Sequence, residues 1–492
     1  MNKLSFNDAA FLYAETPSTP MHIAAVQHFE LPDGRATNFF DDLKTYIAAR
    51  VHLISFMTRK LAETPYGFDH PVWVQDGEFD IDNHVKRARL PTPGTQAQLE
   101  QMVARLHEVP LDRSRPLWQY WLIEGLESGH VAWYTKYHHA CMDGMAGQAI
   151  VDILFTDGPE TAPAPTDLAL AEDHVPSALG LLWEAAVDTG TQPMRLARQL
   201  PQIAEAAWNL GQRAATGRLG ALGQRAPRTR FNGMIGPYRT LALGSLPLAA
   251  VKELGRAQDC KANDVFMAVC AGAIGRYLDE RNEPPDRPLI AGAPVSLREA
   301  GDQTMNNRVS MFLTSLDTQA ADPLERMRAI RDSNRLGKWV VADLAGALIT
   351  DLNLPGLPVT FSTTARLWER LRLPDLAPPP VNLVISNVAG PRRTMYLNGA
   401  RLLTHYPVSI PAHGCAVNIT LQSYQDRMDF GITACLDALP DADRLRDLIL
   451  EAWEELQHAA GDGPYATSVP VDPVEDPRID HSARKQAEIR VA

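Results

Sequence analysis

The sequence of 492 residues lacks two features that would each define a class of protein. No two of its five cysteines are spaced Cys-x-x-Cys, and their number is odd, which argues against a zinc ribbon or a disulfide scaffold. We therefore expect reduced thiols and a cytoplasmic protein. The chain also has no basic excess. Its formal net charge is −12, so general nucleic-acid binding is not expected.

Long hydrophobic runs are missing as well. The longest uninterrupted apolar run, residues 265–275, is shorter than the roughly 20 residues that a membrane-spanning helix needs. The first residues carry no long apolar stretch after their charge, so we expect no secretory signal. A protein of this kind that handles lipids would work from a membrane surface or the surface of a lipid inclusion, as a peripheral protein.

The composition is that of a folded protein, with 45% hydrophobic and 22% charged residues. The length predicts two domains of roughly 200 residues each. We place an N-terminal domain at 1–157, a proline-rich linker and helical crossover at 158–239, a C-terminal domain at 240–460 and a disordered tail at 461–492. The tail has four prolines and no periodicity.

The order of predicted elements indicates an α/β fold with mixed sheets. Residues 120–125 and 131–138 read as a hairpin around Gly129, and a helix follows Asp143-Gly144. Asn263 is a predicted N-cap, with Asp264 placed against the helix dipole. In the second half we predict strands at 241–246, 289–297, 309–316, 381–388, 416–424 and 428–435, helices at 248–257, 263–278 and 441–456, and a type I′ turn at Asn398-Gly399.

An arginine-rich segment lies in the helical crossover. Residues 191–230 contain seven arginines and a single acid, Glu205. One interpretation is a solvated helical face, and the other is a surface for anionic lipid or for the phosphates of coenzyme A. The arginines are Arg195, Arg198, Arg213, Arg218, Arg225, Arg228 and Arg230.

The strongest chemical signal is the run from His138-His139 to Asp143-Gly144. Successive strand residues face opposite sides, so one histidine can reach a site while the other packs. Histidine is the side chain whose ordinary pKa suits proton removal from a hydroxyl near pH 7. A metal site is disfavoured because adjacent histidines on opposite faces rarely chelate one ion. A nucleophilic Cys141 is disfavoured because no positive partner is apparent.

A third alternative is the His-x4-Asp spacing of membrane glycerolipid acyltransferases, formed here by His138 and Asp143. The further motifs of those enzymes are not found downstream. An ordered series of motifs instead resembles the wax ester synthase/acyl-CoA:diacylglycerol acyltransferase family. The series comprises Leu4-Ser5, Asp8, Phe11-Leu12, Glu15, Pro20-Met21-His22, Pro116-Leu117-Trp118, the histidine motif, Asn263-Asp264-Val265, Pro294-Val295-Ser296-Leu297-Arg298, Asn307, residues 385–391, Tyr406-Pro407-Val408-Ser409 and Asn418-Ile419-Thr420.

This resemblance spans residues 4–457 and departs from the family pattern at Ala389, where the family usually has proline. It implies a two-domain, chloramphenicol-acetyltransferase-like CoA-dependent acyltransferase fold with an interdomain tunnel. It also implies a long-chain acyl-CoA donor and a fatty alcohol or diacylglycerol acceptor. Acyl-CoA would be a co-substrate, and no permanently bound cofactor and no metal are expected.

The resemblance also suggests roles for individual residues. His139 would be the general base, with His138 and Gly144 supporting the motif. Asp143 would pair with Arg298 and not with the His139 ring, as related folds pair the motif aspartate with an arginine. Asn263, Ser386 and Asn387 are candidate oxyanion or substrate-positioning groups, and Pro116, Leu117, Trp118, Asp264 and Arg298 are structural motif residues. Two alternatives stay open: a condensation-type synthase using another thioester, and a non-catalytic lipid-droplet binding protein.

Overall fold

The computed structural model describes residues 2–32, 38–142, 144–160, 177–217, 219–296, 309–344 and 356–461. These residues form two large mixed β-sheets, one small sheet and the helices that cover them. The strands are β1 (Asn2–Lys3), β2 (His22–Glu30), β3 (Arg59–Ala62), β4 (Val72–Gln75), β5 (Val85–Arg89), β6 (Trp118–Glu124), β7 (Val131–His138), β8 (Phe155–Thr156), β9 (Arg239–Pro247), β10 (Ile290–Ser296), β11 (Val309–Ser315), β12 (Leu383–Val388), β13 (Tyr396–Leu397), β14 (Ala400–Val408), β15 (Val417–Tyr424) and β16 (Arg427–Cys435). The helices are α1 (Phe6–Ala14), α2 (Phe39–Ala48), α3 (Gln96–Glu108), α4 (Gly144–Leu154), α5 (Ala178–Ala215), α6 (Leu248–Ala257), α7 (Ala262–Asp279), α8 (Pro323–Leu344), α9 (Leu357–Arg370), α10 (Leu373–Leu376) and α11 (Ala442–Ala459).

The first sheet positions the histidine motif. Its strand order is β5-β6-β7-β2-β14-β13-β8, with β7 near the middle between β6 and β2. Strands β6 and β7 form the predicted antiparallel hairpin, and Gly129 in its turn has a φ of +79°. All eight residues of β7 are buried. The strand therefore delivers His138 to a fixed place at its carboxyl end.

Two strands of this sheet come from the second half of the chain. Strands β13 and β14 pair antiparallel with each other, and β14 also pairs antiparallel with β2. The turn between them has positive φ at both Asn398 (49°) and Gly399 (85°), as a type I′ turn requires. The predicted boundary at residue 240 therefore does not separate the two sheets. Hydrophobic alternation identifies a strand but carries no information about which sheet it joins.

The second sheet has the order β11-β10-β12-β15-β16-β9, and α6, α7, α8 and α11 pack with it in one large hydrophobic core. Helix α7 is buried at nearly every position from Asp264 to Leu278. The prediction of Asn263 as N-cap is wrong, because Lys261 occupies that position and Asn263 lies inside the first turn. The Asp264 carboxylate stabilises the start of α7 as predicted, because it accepts a hydrogen bond from the Lys261 N–H at 2.8 Å.

Helix α3 closes the edge of the second sheet. Edge strand β9 would expose unpaired backbone groups. Glu108 accepts the Arg239 N–H at 2.8 Å, and Glu100 accepts the Leu243 N–H at 2.9 Å. Burial raises the pKa of Glu100 to about 7. The two carboxylates thus join the first half of the chain to the second sheet.

The described residues of the helical crossover form the 38-residue helix α5 and a 3-10 turn, Gly220–Gly223. Leu181 near the start of α5 is buried against Val72 and Val74. Farther along the predicted arginine-rich segment, Arg228 donates hydrogen bonds to the Pro374 and Ala377 carbonyls. This arginine therefore links the segment to helix α10. Residues 161–176 of the predicted linker and 462–492 of the predicted tail lie outside the described residues.

Candidate active site

The two histidines of the motif lie where β7 passes into a single 3-10 turn, His139–Cys141. The His138 N–H donates to the Leu117 carbonyl at 3.0 Å, and the His139 N–H donates to the Met21 carbonyl at 2.8 Å. Leu117 and Met21 belong to two of the motifs recognised in the sequence. The residues just before both neighbouring strands, β6 and β2, therefore fix the backbone of the histidine pair.

The His138 side chain is buried and fully hydrogen-bonded. Its Nδ1 accepts the Ala140 N–H at 3.1 Å, so Nε2 carries the hydrogen and donates to Glu15 Oε2 at 3.0 Å. Burial lowers the pKa of His138, although the Glu15 carboxylate opposes the shift. His138 is therefore neutral and occupied on both ring nitrogens, which suits a supporting role.

Glu15 organises this side of the site. Besides His138, its carboxylate accepts the Met21 N–H at 3.1 Å and pairs with Arg113 at 3.0 Å. Burial is the largest influence and would raise the pKa of Glu15. The hydrogen bonds and positive charge around it outweigh burial, and the pKa ends below its usual value. Glu15 therefore stays ionised and ties α1, the start of β2 and the end of β7 together.

The His139 ring is held differently. It stacks on the Phe11 ring of α1, with centroids 3.8 Å apart and planes 10° apart. Burial is the main cause that lowers the pKa of His139 to about 4, and the residue's own backbone carbonyl partly opposes the shift. Its Nδ1 has no hydrogen-bond partner in the described part of the chain that meets normal geometry. At neutral pH the ring is neutral and can accept a proton.

Cys141 closes the 3-10 turn and is buried. Burial raises the pKa of its thiol far above the usual value. A thiol that stays protonated is a poor nucleophile, which agrees with the disfavoured Cys141 chemistry. Gly144 begins α4, while Asp143 and Arg298 lie outside the described residues, so their pairing stays a prediction.

The Pro116-Leu117-Trp118 motif enters the buried start of β6. The Trp118 indole donates to the Met57 carbonyl at 2.8 Å and stacks on His84 at 4.4 Å. The Trp118 carbonyl accepts from His84 Nδ1 at 2.8 Å. The motif is thus anchored in the core through Trp118, and its Leu117 carbonyl accepts the hydrogen bond from the His138 backbone N–H.

The candidate oxyanion groups lie on other elements. Asn263 is in the first turn of α7 and its amide contacts Met267 Sδ at 3.3 Å. Ser386 and Asn387 lie on β12, where Ser386 is half-buried and Asn387 is exposed. Within the described ranges, no recorded contact joins any of the three to His139. Their oxyanion role stays a prediction.

The described residues contain neither a metal-binding cluster nor a membrane-spanning helix. No cluster of three or more His, Cys, Asp or Glu residues there could hold a metal ion. None of the helices formed by those residues combines the length and the apolar character needed to cross a membrane.

The chain matches the two domain models of one protein family along most of its length. The family model described as wax ester synthase/diacylglycerol acyltransferase catalytic domain matches residues 4–266, more than half of the chain. The chain belongs to this family. The companion C-terminal domain of the same family matches residues 305–457. As a wax ester synthase/diacylglycerol acyltransferase family member, the chain is an acyltransferase, and the resemblance inferred from its motifs is confirmed.

Relatives cover nearly the whole of this acyltransferase. "Probable diacyglycerol O-acyltransferase tgs2" of Mycobacterium tuberculosis (strain ATCC 25618 / H37Rv) is 33% identical over 466 residues, 94% of this chain and 100% of the relative. A second protein of that strain, provisionally named a diacylglycerol O-acyltransferase, is 36% identical over 469 residues, 92% of this chain and 99% of its own.

Solved structures confirm the predicted fold class. The wax ester synthase/diacylglycerol acyltransferase from Marinobacter aquaeolei VT8 has a TM-score of 0.66 and 28% identity, covering 94% of this chain and 100% of its own. The starter condensation domain of rhizomide synthetase RzmA has a TM-score of 0.56 and 14% identity, covering 96% of each chain. The second likeness concerns the fold alone.

Three residues of this acyltransferase site were missed as functional groups from the sequence. Phe11 and Glu15 were noted only as members of a motif series, and Arg113 was not singled out. The available signal was that Phe11 and Glu15 lie close together in one helical segment that also contains the apolar Leu12. Such a segment is expected to pack one side against the core. The contact between Glu15 and His138, however, joins residues 123 positions apart and depends on the tertiary structure.

Proposed function

We propose that the enzyme transfers a long-chain fatty acyl group from acyl-CoA to the hydroxyl of a fatty alcohol or of diacylglycerol. The products would be a wax ester or triacylglycerol. The observation that supports this most strongly is the state of His139. It is a neutral imidazole, oriented by a stacked ring and a fixed backbone, with no described hydrogen-bond partner on Nδ1.

The proposed reaction is a direct, one-step transfer. His139 removes the acceptor hydroxyl proton as the oxygen attacks the thioester carbonyl carbon, which gives a tetrahedral oxyanion. The intermediate collapses as the C–S bond breaks, and His139 returns its proton to the leaving thiolate. Because the pKa of His139 is about 4, the ring is almost wholly unprotonated at neutral pH, and its protonated form is a strong proton donor.

The oxyanion requires hydrogen-bond donors, for which Asn263, Ser386 and Asn387 remain our candidates. Acyl-CoA acts as a co-substrate, and the scheme needs neither a permanently bound cofactor nor a metal. The acceptors are poorly soluble lipids, so we propose a cytoplasmic enzyme that associates peripherally with the inner membrane or with lipid inclusions.

The experiment supplies purified protein with palmitoyl-CoA and either hexadecanol or diacylglycerol, and follows released thiol together with the ester product. His139→Ala should lower turnover by at least about 10²-fold, the lower end for loss of a general base. Cys141→Ser serves as a matched control in the same turn and should retain activity.

Thiol release that requires an amine acceptor or a carrier-bound thioester would favour a condensation-type synthase instead. Absence of turnover with every donor and acceptor, alongside lipid binding, would favour a non-catalytic lipid-droplet protein. Turnover that is equal in His139→Ala and in the wild type would refute the assignment of the base.

A further inference from the structure

Exposed large apolar side chains gather on one part of the surface. Helices α9 and α10 carry several of them, and the 3-10 turn Pro65–Gly67 lies against the start of α9, where Gly67 packs directly on Val359. Tyr66 at the tip of that turn is 90% exposed and Leu376 of α10 is 76% exposed. We call this the docking face. Its members are Tyr66, Val359, Leu367, Trp368, Leu371 and Leu376.

The exposed charges of α9 are positive. Arg366 and Arg370 are exposed, and no contact to either is recorded among the described residues. The acids nearby are turned towards protein groups. Glu369 lies 3.6 Å from His413, and Asp375 accepts the Met234 N–H at 2.8 Å. On a chain of net charge −12, Arg366 and Arg370 beside an apolar surface form a local basic exception.

This face is connected to the active site. Phe361, near the start of α9, packs edge-on against Phe6 of α1 and tilted against Tyr13. The same helix α1 carries Phe11, whose ring stacks on His139. A single helix therefore separates the docking face from the proposed base.

We infer that the docking face is the surface by which this enzyme binds an anionic lipid surface. The inference rests on the proposed function, because a lipid acceptor gives the enzyme a reason to dock. Helix ends with exposed aromatic and aliphatic side chains next to arginines suit the boundary between headgroups and acyl chains. The arginine-rich segment 191–230 is less suited to binding a lipid surface, because two of its arginines, Arg228 and Arg230, contact protein groups at Ala377 and Glu283.

The test is flotation with phosphatidylcholine vesicles, with and without phosphatidylglycerol, which measures binding independently of turnover. Trp368→Ser/Leu371→Ser should weaken binding at least about 10-fold, because two partly exposed apolar side chains no longer enter the lipid. The matched control is Val109→Ser/Leu436→Ser, whose side chains are similarly exposed elsewhere. It should bind as the wild type does.

The contribution of charge to vesicle binding is tested with the double variant Arg366→Gln/Arg370→Gln. Each arginine should contribute about 5-fold to binding of phosphatidylglycerol vesicles at low salt, and less as salt rises. Arg105→Gln, an exposed arginine of α3, is the control. All docking variants should keep wild-type turnover with a short-chain acyl-CoA and a water-soluble alcohol.

Several results would overturn the inference. One is vesicle binding by Trp368→Ser/Leu371→Ser that equals the wild type. Another is a loss of binding caused by Trp208→Ser on α5 and by none of the docking variants. A third is a change of oligomeric state in these variants with unchanged vesicle binding, which would assign the face to a second copy of the chain. A wild type that binds vesicles but never releases thiol would instead refute the proposed function.

Discussion

The contact between Phe11 and His139 leads to a prediction about the transition state. In the proposed reaction His139 becomes a cation only while it holds the acceptor proton. The face of an aromatic ring carries negative charge density and attracts a cation held against it. The two rings are stacked with centroids 3.8 Å apart and planes inclined by 10°, so the Phe11 face lies directly on the imidazole. Phe11 should therefore stabilise the imidazolium more than the neutral ring.

The expected magnitude lies between the values for exposed and for desolvated pairs, because both side chains are partly buried. A cation on an aromatic face is stabilised by about 0.5 kcal/mol when exposed and about 2 kcal/mol when desolvated. Each 1.36 kcal/mol changes a rate tenfold, so Phe11→Leu should lower kcat about 2-fold to 30-fold. Leucine keeps much of the bulk but has no π-face. KM should change little, because the lost interaction is made mainly in the transition state.

The assay follows thiol release from palmitoyl-CoA with hexadecanol at saturating and limiting acceptor. Phe11→Tyr is the control, since it keeps the aromatic face, and it should retain near wild-type kcat. Melting temperatures of both variants separate a folding defect from a catalytic one. A wild-type kcat in Phe11→Leu, or equal losses in the leucine and tyrosine variants, would contradict the reasoning.

Three further predictions concern the same region and its neighbours. His138→Ala should destabilise the protein by about 1.5–3 kcal/mol in denaturant unfolding, because a buried hydrogen bond to a carboxylate is lost, and a purely kinetic loss would show that the two histidines were assigned the wrong roles. Cys141→Ser should retain most activity, and no acyl adduct should be found on Cys141 by mass spectrometry after a single turnover. Burial lowers the pKa of His28, His139 and His405 to about 4, below the ordinary 6.5 of the unfolded chain. Between pH 4 and pH 6.5 the unfolded state therefore binds more protons than the folded state. The free energy of unfolding should be highest above pH 6.5 and should fall as the pH drops towards 4, by up to about 1.4 kcal/mol per pH unit for each histidine. A free energy of unfolding that does not change over this range would contradict the prediction.

Much of the fold could be predicted because its signals are local. The hairpin at the histidine motif, helix α6 and the Asn398-Gly399 turn follow from side-chain period and turn chemistry within a few residues. Helix ends were less accurate. The N-cap of α7 is Lys261 and not Asn263. The Asp264 carboxylate in the first turn already accepts the Lys261 N–H, so the helix start does not need the Asn263 side chain as a cap.

The sequence by itself determined the family, the β6–β7 hairpin, the strands of the second sheet and the identity of the motif histidines, since these depend on residues close together in the chain. Only the tertiary structure decided that β13 and β14 join the first sheet and that Glu15 holds His138. It likewise decided that Phe11 covers His139 and that α9 presents an apolar, arginine-flanked face. Such contacts join residues far apart in sequence, and they exist only because the packed core fixes which surfaces of the elements meet.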